Sequence, residues 1–355
     1  MDGPRGLPEA RNTFYLNTGD ATFQEATEAS GLAAGGRGYS MGVASFDYDN
    51  DGDVDLYVAN DSSPNRLYRN RGDATFEEVG IVTGSAYNSD GRLQGSMGTH
   101  FGDYDGDGWL DLVVTNFARD YNTLYRNLGG LLFRDDSFLS HLGEATYKSL
   151  GWGALFVDVD NDRDLDLFFA NGHIYPQVDD EESLGESYRQ RNQLLLNDDG
   201  RFRDVTGRAG EAFALRRSSR GAVYLDYDND GDLDLAVSNQ DERPTLLENV
   251  TVTENHWVIV ELGGTQTLGA RIEVRAGGIS QVRESTSGGS YASHNDSRLH
   301  FGLGDAAVID RLTVTWPDGA RTSLVDLPSD RFYTVQRPGR RPPGRRPPSP
   351  SPELR

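Results

Sequence analysis

The sequence predicts an all-β fold: a β-propeller, complete or short of blades, followed by a small antiparallel β-sandwich or barrel. Three observations lead there. An acidic nine-residue turn recurs four times, at steps of 56, 55 and 68 residues. Around each turn, short runs rich in Val, Leu, Phe and Tyr alternate with turn residues and carry no 3.6-residue period. Glycine is abundant, at 42 of 355 residues, as many tight turns require.

Each unit reads in the same order. A glycine-containing lead enters an apolar strand: MGVASF, SMGTHF, GWGALFV and RGAVYL. The acidic turn follows, and then a second strand ending in Asn: LYVAN, LVVTN, LFFAN and LAVSN. A third segment comes next: NRLYRN, NTLYRN, NQLLLN and PTLLEN. Three units continue into a fourth strand, within GDATFEEV, GGLLFRDD and DGRFRDVT. Four short antiparallel strands per repeat of about 55 residues describe a propeller blade, and a solenoid of stacked hairpins is the competing arrangement. Asn12 to Thr27 matches the third and fourth strands of a unit with no acidic turn before it. The chain therefore opens inside a blade, which points to missing upstream blades unless this segment completes the last unit. The repeats span residues 12–250, and a second β segment spans 256–336, with runs WVIVEL, ARIEVRA, QVRESTS, RLHFGLG, DRLTVTW and YTVQR. Residues 337–355 form a Pro/Arg-rich tail expected to be disordered.

The acidic turns carry the chemistry. They read Asp47, Asp49, Asp51, Asp53 and Asp55; Asp103, Asp105, Asp107 and Asp111, with Trp109 at position 7; Asp158, Asp160, Asp162, Asp164 and Asp166; and Asp226, Asp228, Asp230, Asp232 and Asp234. Carboxylates this close repel unless a hard cation sits among them, and calcium takes six to eight oxygens. Asp as a plain turn former is the simpler reading, but it does not explain four carboxylates kept in register four times. The expectation is about four structural Ca²⁺ ions, with magnesium less suited because of its strict octahedron. Carboxylates at positions 1, 3, 5 and 9 would be ligands, and position 7 would offer its main-chain carbonyl, which accounts for the tolerance of Trp109. Gly at position 6 permits a positive φ, and Arg163 replaces it in the third turn, marking that site as the weakest.

Bulk properties agree with this reading. The formal net charge is -22, and the four turns hold 19 of the 56 acidic residues. Such a charge disfavours nucleic acid as a partner. Cysteine is absent, so disulfides and thiolate chemistry are excluded. No apolar run is long enough for a membrane-spanning helix. The first residues, MDGPRGLPEARN, contain no signal segment as written.

The four DxDxDGDxD-type turns resemble FG-GAP/VCBS repeats of integrin-like propellers, with the third departing at position 6. The segment from Ser287 to Asp296, HFGLG at His300 to Gly304, and the WPDG turn at Trp316 to Gly319 resemble the ASPIC/UnbV domain of the cartilage acidic protein 1 family. The resemblance implies an extracellular or cell-surface calcium-binding scaffold with an adhesive role.

The residues favour a binding or structural protein with a protein or glycan partner, and the resemblance implies a binding or adhesion scaffold recognising an extracellular one. The alternative is an enzyme, a hydrolase or lyase acting on a glycan or other extracellular substrate, with its site on a propeller face. No residue is assigned as catalytic. His100, His141, His173, His256, His294 and His300 form no short metal motif, and neither a GxSxG element nor a P-loop occurs. His173, which fronts a polar insertion between Gly172 and Arg191, is a loose candidate for ligand contact; the insertion is otherwise a surface excursion. Trp109, Tyr121, Trp152 and Tyr175 are candidate glycan-stacking aromatics, with sheet packing as the simpler role. Tyr291, His294, Asn295 and Asp296 are a ligand turn or, more simply, a fixed docking turn. Asn60, Asn249 and Asn295 begin sequons, and Asn60 sits where a local turn role is expected.

Overall fold

A computed structural model describes residues 4, 6–181, 183, 185–265 and 267–339. Of the expected disordered tail, residues 340–355 lie outside the described residues. The chain opens with β1 (Ala10–Arg11), the hairpin β2 (Tyr15–Gly19) and β3 (Thr22–Glu25), and β4 (Arg37–Gly38), which pairs back on β1. The first repeat follows as β5 (Ser40–Phe46), β6 (Asp55–Asn60), β7 (Arg66–Asn70) and β8 (Phe76–Glu78). The second is β9 (Thr99–Gly102), β10 (Asp111–Val114), β11 (Thr123–Asn127) and β12 (Phe133–Asp135). The third is β13 (Gly151–Val157), β14 (Asp166–Asn171), β15 (Gln193–Asp198) and β16 (Arg201–Asp204). The fourth has only β17 (Ser219–Leu225), β18 (Asp234–Asn239) and β19 (Thr245–Leu247). Each repeat is its own antiparallel sheet in sequence order, with the acidic turn joining its first two strands.

The inner strand β13 is buried along its whole length because sheets flank it on both sides. Cores form between neighbouring sheets: Phe46 stacks on Phe101 at 4.8 Å between the first and second. Such a pair adds about 0.5–1.5 kcal/mol beyond its buried area. The glycines of the strand leads make this approach possible. A Cβ on Gly42 would lie 2.2 Å from the Met97 carbonyl, one on Gly98 1.9 Å from the Trp152 carbonyl, and one on Gly153 3.0 Å from the Arg220 carbonyl. Each repeat thus seats the next against a missing side chain.

The expected propeller is not formed. The sheets remain small and discrete, and none closes into a barrel or ring. The seat beside Gly221, where another inner strand would continue the series, is taken by the C-terminal chain: a Cβ there would meet Ser293 Oγ at 2.5 Å and the Tyr291 carbonyl at 2.8 Å. The hairpin β2–β3 does not complete the last repeat either. It pairs with itself, and the neighbouring Phe14 packs on Phe76 of the first sheet.

The C-terminal part contains β20 (His256–Gly263), β21 (Arg271–Ala276), β22 (Ile279–Glu284), β23 (Leu299–Gly304), β24 (Val308–Thr315), β25 (Arg321–Pro328) and β26 (Arg331–Gln336). They form two sheets, β23-β20-β26 and β22-β21-β24-β25, around a shared core that includes Phe301 and Trp316. β21 shows the two-residue alternation of a strand with one buried face. Neither sheet closes as a barrel, and the expectation of purely antiparallel pairing fails because β26 runs parallel to β20. β25 was not expected from sequence; its RTSLVDLP has no strict two-residue alternation and stays largely exposed.

These sheets rest on the acidic turns. A Cβ on Gly302 would lie 2.1 Å from Asp158 Oδ2 and 2.6 Å from Asn161 Cα. Gly302→Ala is therefore expected to cost about 1–3 kcal/mol, an overpacking penalty. Thermal unfolding should show a clear fall in Tm. Gly207→Ala, at a site with nothing within 4 Å, should leave Tm nearly unchanged.

Candidate metal centres

The four turns share one backbone cradle. Position 4 is left-handed in each, at Asn50 (φ 56), Gly106 (φ 71), Asn161 (φ 60) and Asn229 (φ 63). Position 6 is left-handed again, at Gly52, Gly108, Arg163 and Gly231. Asn and Gly tolerate this conformation, so the recurrent Asn/Gly at position 4 was a legible signal that sequence reading passed over. Two tight reversals turn the chain so that its N–H groups point at the first carboxylate. Asp47 accepts from Asp51 N and Gly52 N, Asp158 from Asp162 N and Arg163 N, and Asp226 from Asp230 N and Gly231 N; Asp103 accepts from Gly108 N at 3.0 Å. Position 5 accepts from the N–H of position 7, as in Trp109 N to Asp107 Oδ1 at 3.0 Å.

The ninth carboxylate ties the repeat together. In every unit one oxygen accepts from position 2 and the other from the Asn that ends the third segment. For the second repeat these are Tyr104 N at 3.1 Å and Asn127 N at 2.7 Å, both to Asp111. Asn70, Asn197 and Asn249 play the same part for Asp55, Asp166 and Asp234. These asparagines also reach the preceding turn: Asn127, Asn197 and Asn249 donate Nδ2 to the carbonyls of Tyr48, Tyr104 and Val159 at 2.8–2.9 Å. Their fixed place in the sequence unit was visible; their role was not.

Three carboxylates converge in each turn, with ligand oxygens within 4.8 Å of one another: Asp47, Asp49 and Asp55; Asp103, Asp105 and Asp111; Asp158, Asp160 and Asp166; Asp226, Asp228 and Asp230. All four clusters consist of Asp alone and can coordinate a small cation. The fourth uses position 5 where the others use position 9, and Asp232 turns away to accept from Asn161 Nδ2 at 2.8 Å. Asp49 Oδ1, Asp103 Oδ1 and Asp160 Oδ1 are buried without a hydrogen-bond partner. Burial pushes the carboxyls of Asp47 and Asp103 up to about 6, Asp158 to about 7 and Asp55 to about 8, and neighbouring aspartates add to each rise. Asp111 and Asp166 are also held well above the ordinary range, first by burial. Orphaned oxygens and mutually repelling, desolvated carboxylates are what a hard divalent cation would satisfy, so the residues fit such an ion.

The C-terminal sheets grip the outer surface of these turns. Arg271 donates to Asn50 Oδ1 and to the Gly108 carbonyl, both at 2.6 Å. Arg298 donates to Asn229 Oδ1 and the Asp226 carbonyl, and His300 Nε2 lies 3.1 Å from the Gly231 carbonyl. Arg163 directs its guanidinium away from its own cluster, to the Leu303 carbonyl at 2.7 Å and to Asp305 at 2.6 Å. The left-handed Arg (φ 92) is thus offset by a clamp that glycine could not make. Arg283 is half-buried beside Asp103 and Asp158, with its guanidinium over the Phe301 ring.

The looser candidates are mostly packing residues. His173 is buried, accepts from Tyr175 N and lies 3.3 Å from Glu186, so it does not front solvent. Trp152 is buried beneath Arg220 and against Tyr291, and Tyr121 packs on Phe138. Trp109 and Tyr175 are half-buried. Asn295 joins Tyr224 N to His100 Nε2, and Ser290 bridges to Thr99, so the 287–296 turn is a docking element. His294 accepts from Gly288 N, and Asp296 is held by Arg298. The sequon nitrogen of Asn60 donates to the Pro64 carbonyl, as the local turn role requires.

Comparison with known proteins accords with these two parts. Residues 6–58, 47–114 and 103–169 match the FG-GAP-like repeat, and 262–342 match ASPIC and UnbV. The fourth turn lies outside the matched ranges but has the same cradle. The chain is 26% identical over 341 residues to "Cartilage acidic protein 1" of Homo sapiens, covering 90% of this chain and 47% of that protein. It is 26% identical over 332 residues to the Xenopus tropicalis protein of the same name, covering 89% and 47%. The chain spans about half the length of these curated relatives. A solved Agrocybe aegerita lectin, described as recognising non-reducing terminal N-acetylglucosamine, aligns at 17% identity over 67% of this chain and 74% of that one. Its TM-score of 0.33 is too low to carry an argument.

Two outcomes are expected from the cradle. Asn127→Ala removes donors to the Tyr48 and Leu110 carbonyls and the acceptor for Gly130 N. It should cost about 2–3 kcal/mol, more than Asn70→Ala, which lacks the bond to a preceding turn; urea unfolding measures both. The second concerns pH. A carboxyl raised in the folded chain binds more protons folded than unfolded between its ordinary 3.8 and its raised value, here up to about 8 at Asp55. The contribution of these carboxyls to stability in chelator is therefore fully present below the ordinary value and is lost as pH rises through this window. Melting curves in chelator should give a lower Tm at pH 8 than at pH 5. A Tm that rises over that interval contradicts this assignment.

Proposed function

We propose that this chain, an array of FG-GAP-like repeats carrying an ASPIC and UnbV domain, is a calcium-braced scaffold that binds an extracellular protein or glycan. The observation that carries the reading is the Asp-only trio repeated in four like cradles, three of which hold a buried, unpartnered carboxylate oxygen. Calcium suits an all-oxygen set of flexible geometry better than magnesium does. The positions 1, 3, 5 and 9 of each turn are the proposed side-chain ligands, with the main-chain carbonyl of position 7, Trp109 included. Bound calcium would supply positive charge among the carboxylates. The chain holds those carboxylates on turns whose outer carbonyls receive Arg271, Arg298 and His300, so the ion sites and the docking of the C-terminal sheets reinforce one another.

The extracellular assignment draws on the likeness to the Cartilage acidic protein 1 relatives, and the scaffold role on the four repeated acidic cradles and the C-terminal sheets docked on them. Among the described residues no helix is long and apolar enough to cross a membrane. Calorimetric titration of chelator-stripped protein with calcium tests the reading. Uptake of about four ions per chain, with a large rise in Tm, is expected. No uptake, or uptake without a change in Tm, would reject the brace.

A further inference from the structure

A polar cleft of 570 Å³ lies beside the insertion, between the third repeat sheet and the segment leading to β17. Its volume falls within the range of small-molecule sites, about 300–1,000 Å³, but its lining is unlike theirs. Lys148, Arg191 and Arg216 border it, together with Ser149, Gln190 and Thr206. Lys148 is the only lysine of the chain. In a chain of net charge -22, the cleft's lining holds three basic residues against two acidic ones, Glu186 and Asp204.

The charges within the cleft are not equivalent. Its two acidic groups are engaged by the protein: Glu186 pairs with Arg119 at 2.9 Å, and Asp204 accepts from Thr206 N at 2.9 Å and from Gln193 Nε2. Neighbouring Arg189 and Arg217 are likewise held, sharing Glu242. By contrast, the exposed side chains of Lys148 and Arg191 have no ion pair or hydrogen bond among the described residues, and Arg216 makes a single 3.4 Å contact, to Ser187 Oγ. Unengaged cations at the rim and hydroxyl and amide groups within suit a ligand that presents both an anion and several hydroxyls.

We propose that this cleft binds an acidic saccharide, a sugar bearing carboxylate or sulfate, through Lys148, Arg191 and Arg216. This deepens the reading of a glycan partner and places the contact away from the acidic turns, so the two can fail separately. A calcium titration without uptake rejects the scaffold; normal calcium uptake without sugar binding rejects the cleft alone.

The test is calorimetry in calcium buffer with three probes: a uronate-containing disaccharide, its O-sulfated form and a neutral disaccharide. At least one acidic probe should bind at least about tenfold more tightly than the neutral one and weaken with added salt. The tighter acidic probe identifies the preferred anion. Lys148→Ala with Arg191→Ala should lower that affinity at least about tenfold, while calcium stoichiometry and Tm stay unchanged. Arg216→Ala provides a second, independent loss. Equal binding of the neutral probe, no binding of either acidic probe at millimolar concentration, or unchanged affinity in the variants overturns the proposal.

Discussion

Desolvated carboxylates held close together set the terms for the molecule. Each acidic turn buries aspartates that repel one another, and the backbone answers with a fan of N–H groups bent around two left-handed residues. Those N–H bonds offset part of the repulsion but leave oxygens such as Asp49 Oδ1 and Asp160 Oδ1 unanswered. The same turn starts the second strand, receives the third segment through its ninth carboxylate and offers its outer carbonyls to the C-terminal arginines. Strand pairing, repeat-to-repeat contact and docking therefore all pass through one small loop, which is why a cation there would affect more than the loop itself.

The C-terminal sheets fill a second structural need. The inner strands approach one another where glycine leaves room, and that succession ends at Gly221 against Tyr291 and Ser293. The 284–296 segment touches inner strands of all four repeats, through Glu284 to Asp47 N, Thr286 to the Ser45 carbonyl, Ser290 to Thr99, Tyr291 to Trp152 and Asn295 to Tyr224. A half-buried Arg283 between Asp103 and Asp158 belongs to the same seam. Its charge is tolerable there because carboxylates of two turns face it.

Much of this was legible in the sequence where the interacting residues are close along the chain. The four turns, their strands and the unusual Arg163 follow from nine-residue patterns and short apolar runs. The absence of ring closure was not legible, because it depends on what occupies the side of Gly221, and its occupant lies some seventy residues further on. Likewise β25 lacks an apolar face strong enough to announce it, and the parallel seat of β26 beside β20 is a tertiary choice. His173 looked accessible because polar residues follow it, yet its ring is enclosed by Phe117 and Tyr175. The asparagines ending the third segments show the intermediate case: their recurrence was plain, but their partners span two repeats.

Those asparagines give the array a direction. Asn127, Asn197 and Asn249 each reach back to the turn of the repeat before. Every junction is therefore written half in one unit and half in its successor, in the same phase each time. Gain or loss of a whole unit by duplication or deletion would preserve every such junction, whereas a change of half a unit would break one. The bond that holds neighbours together also defines the quantum by which a lineage of such chains could lengthen or shorten.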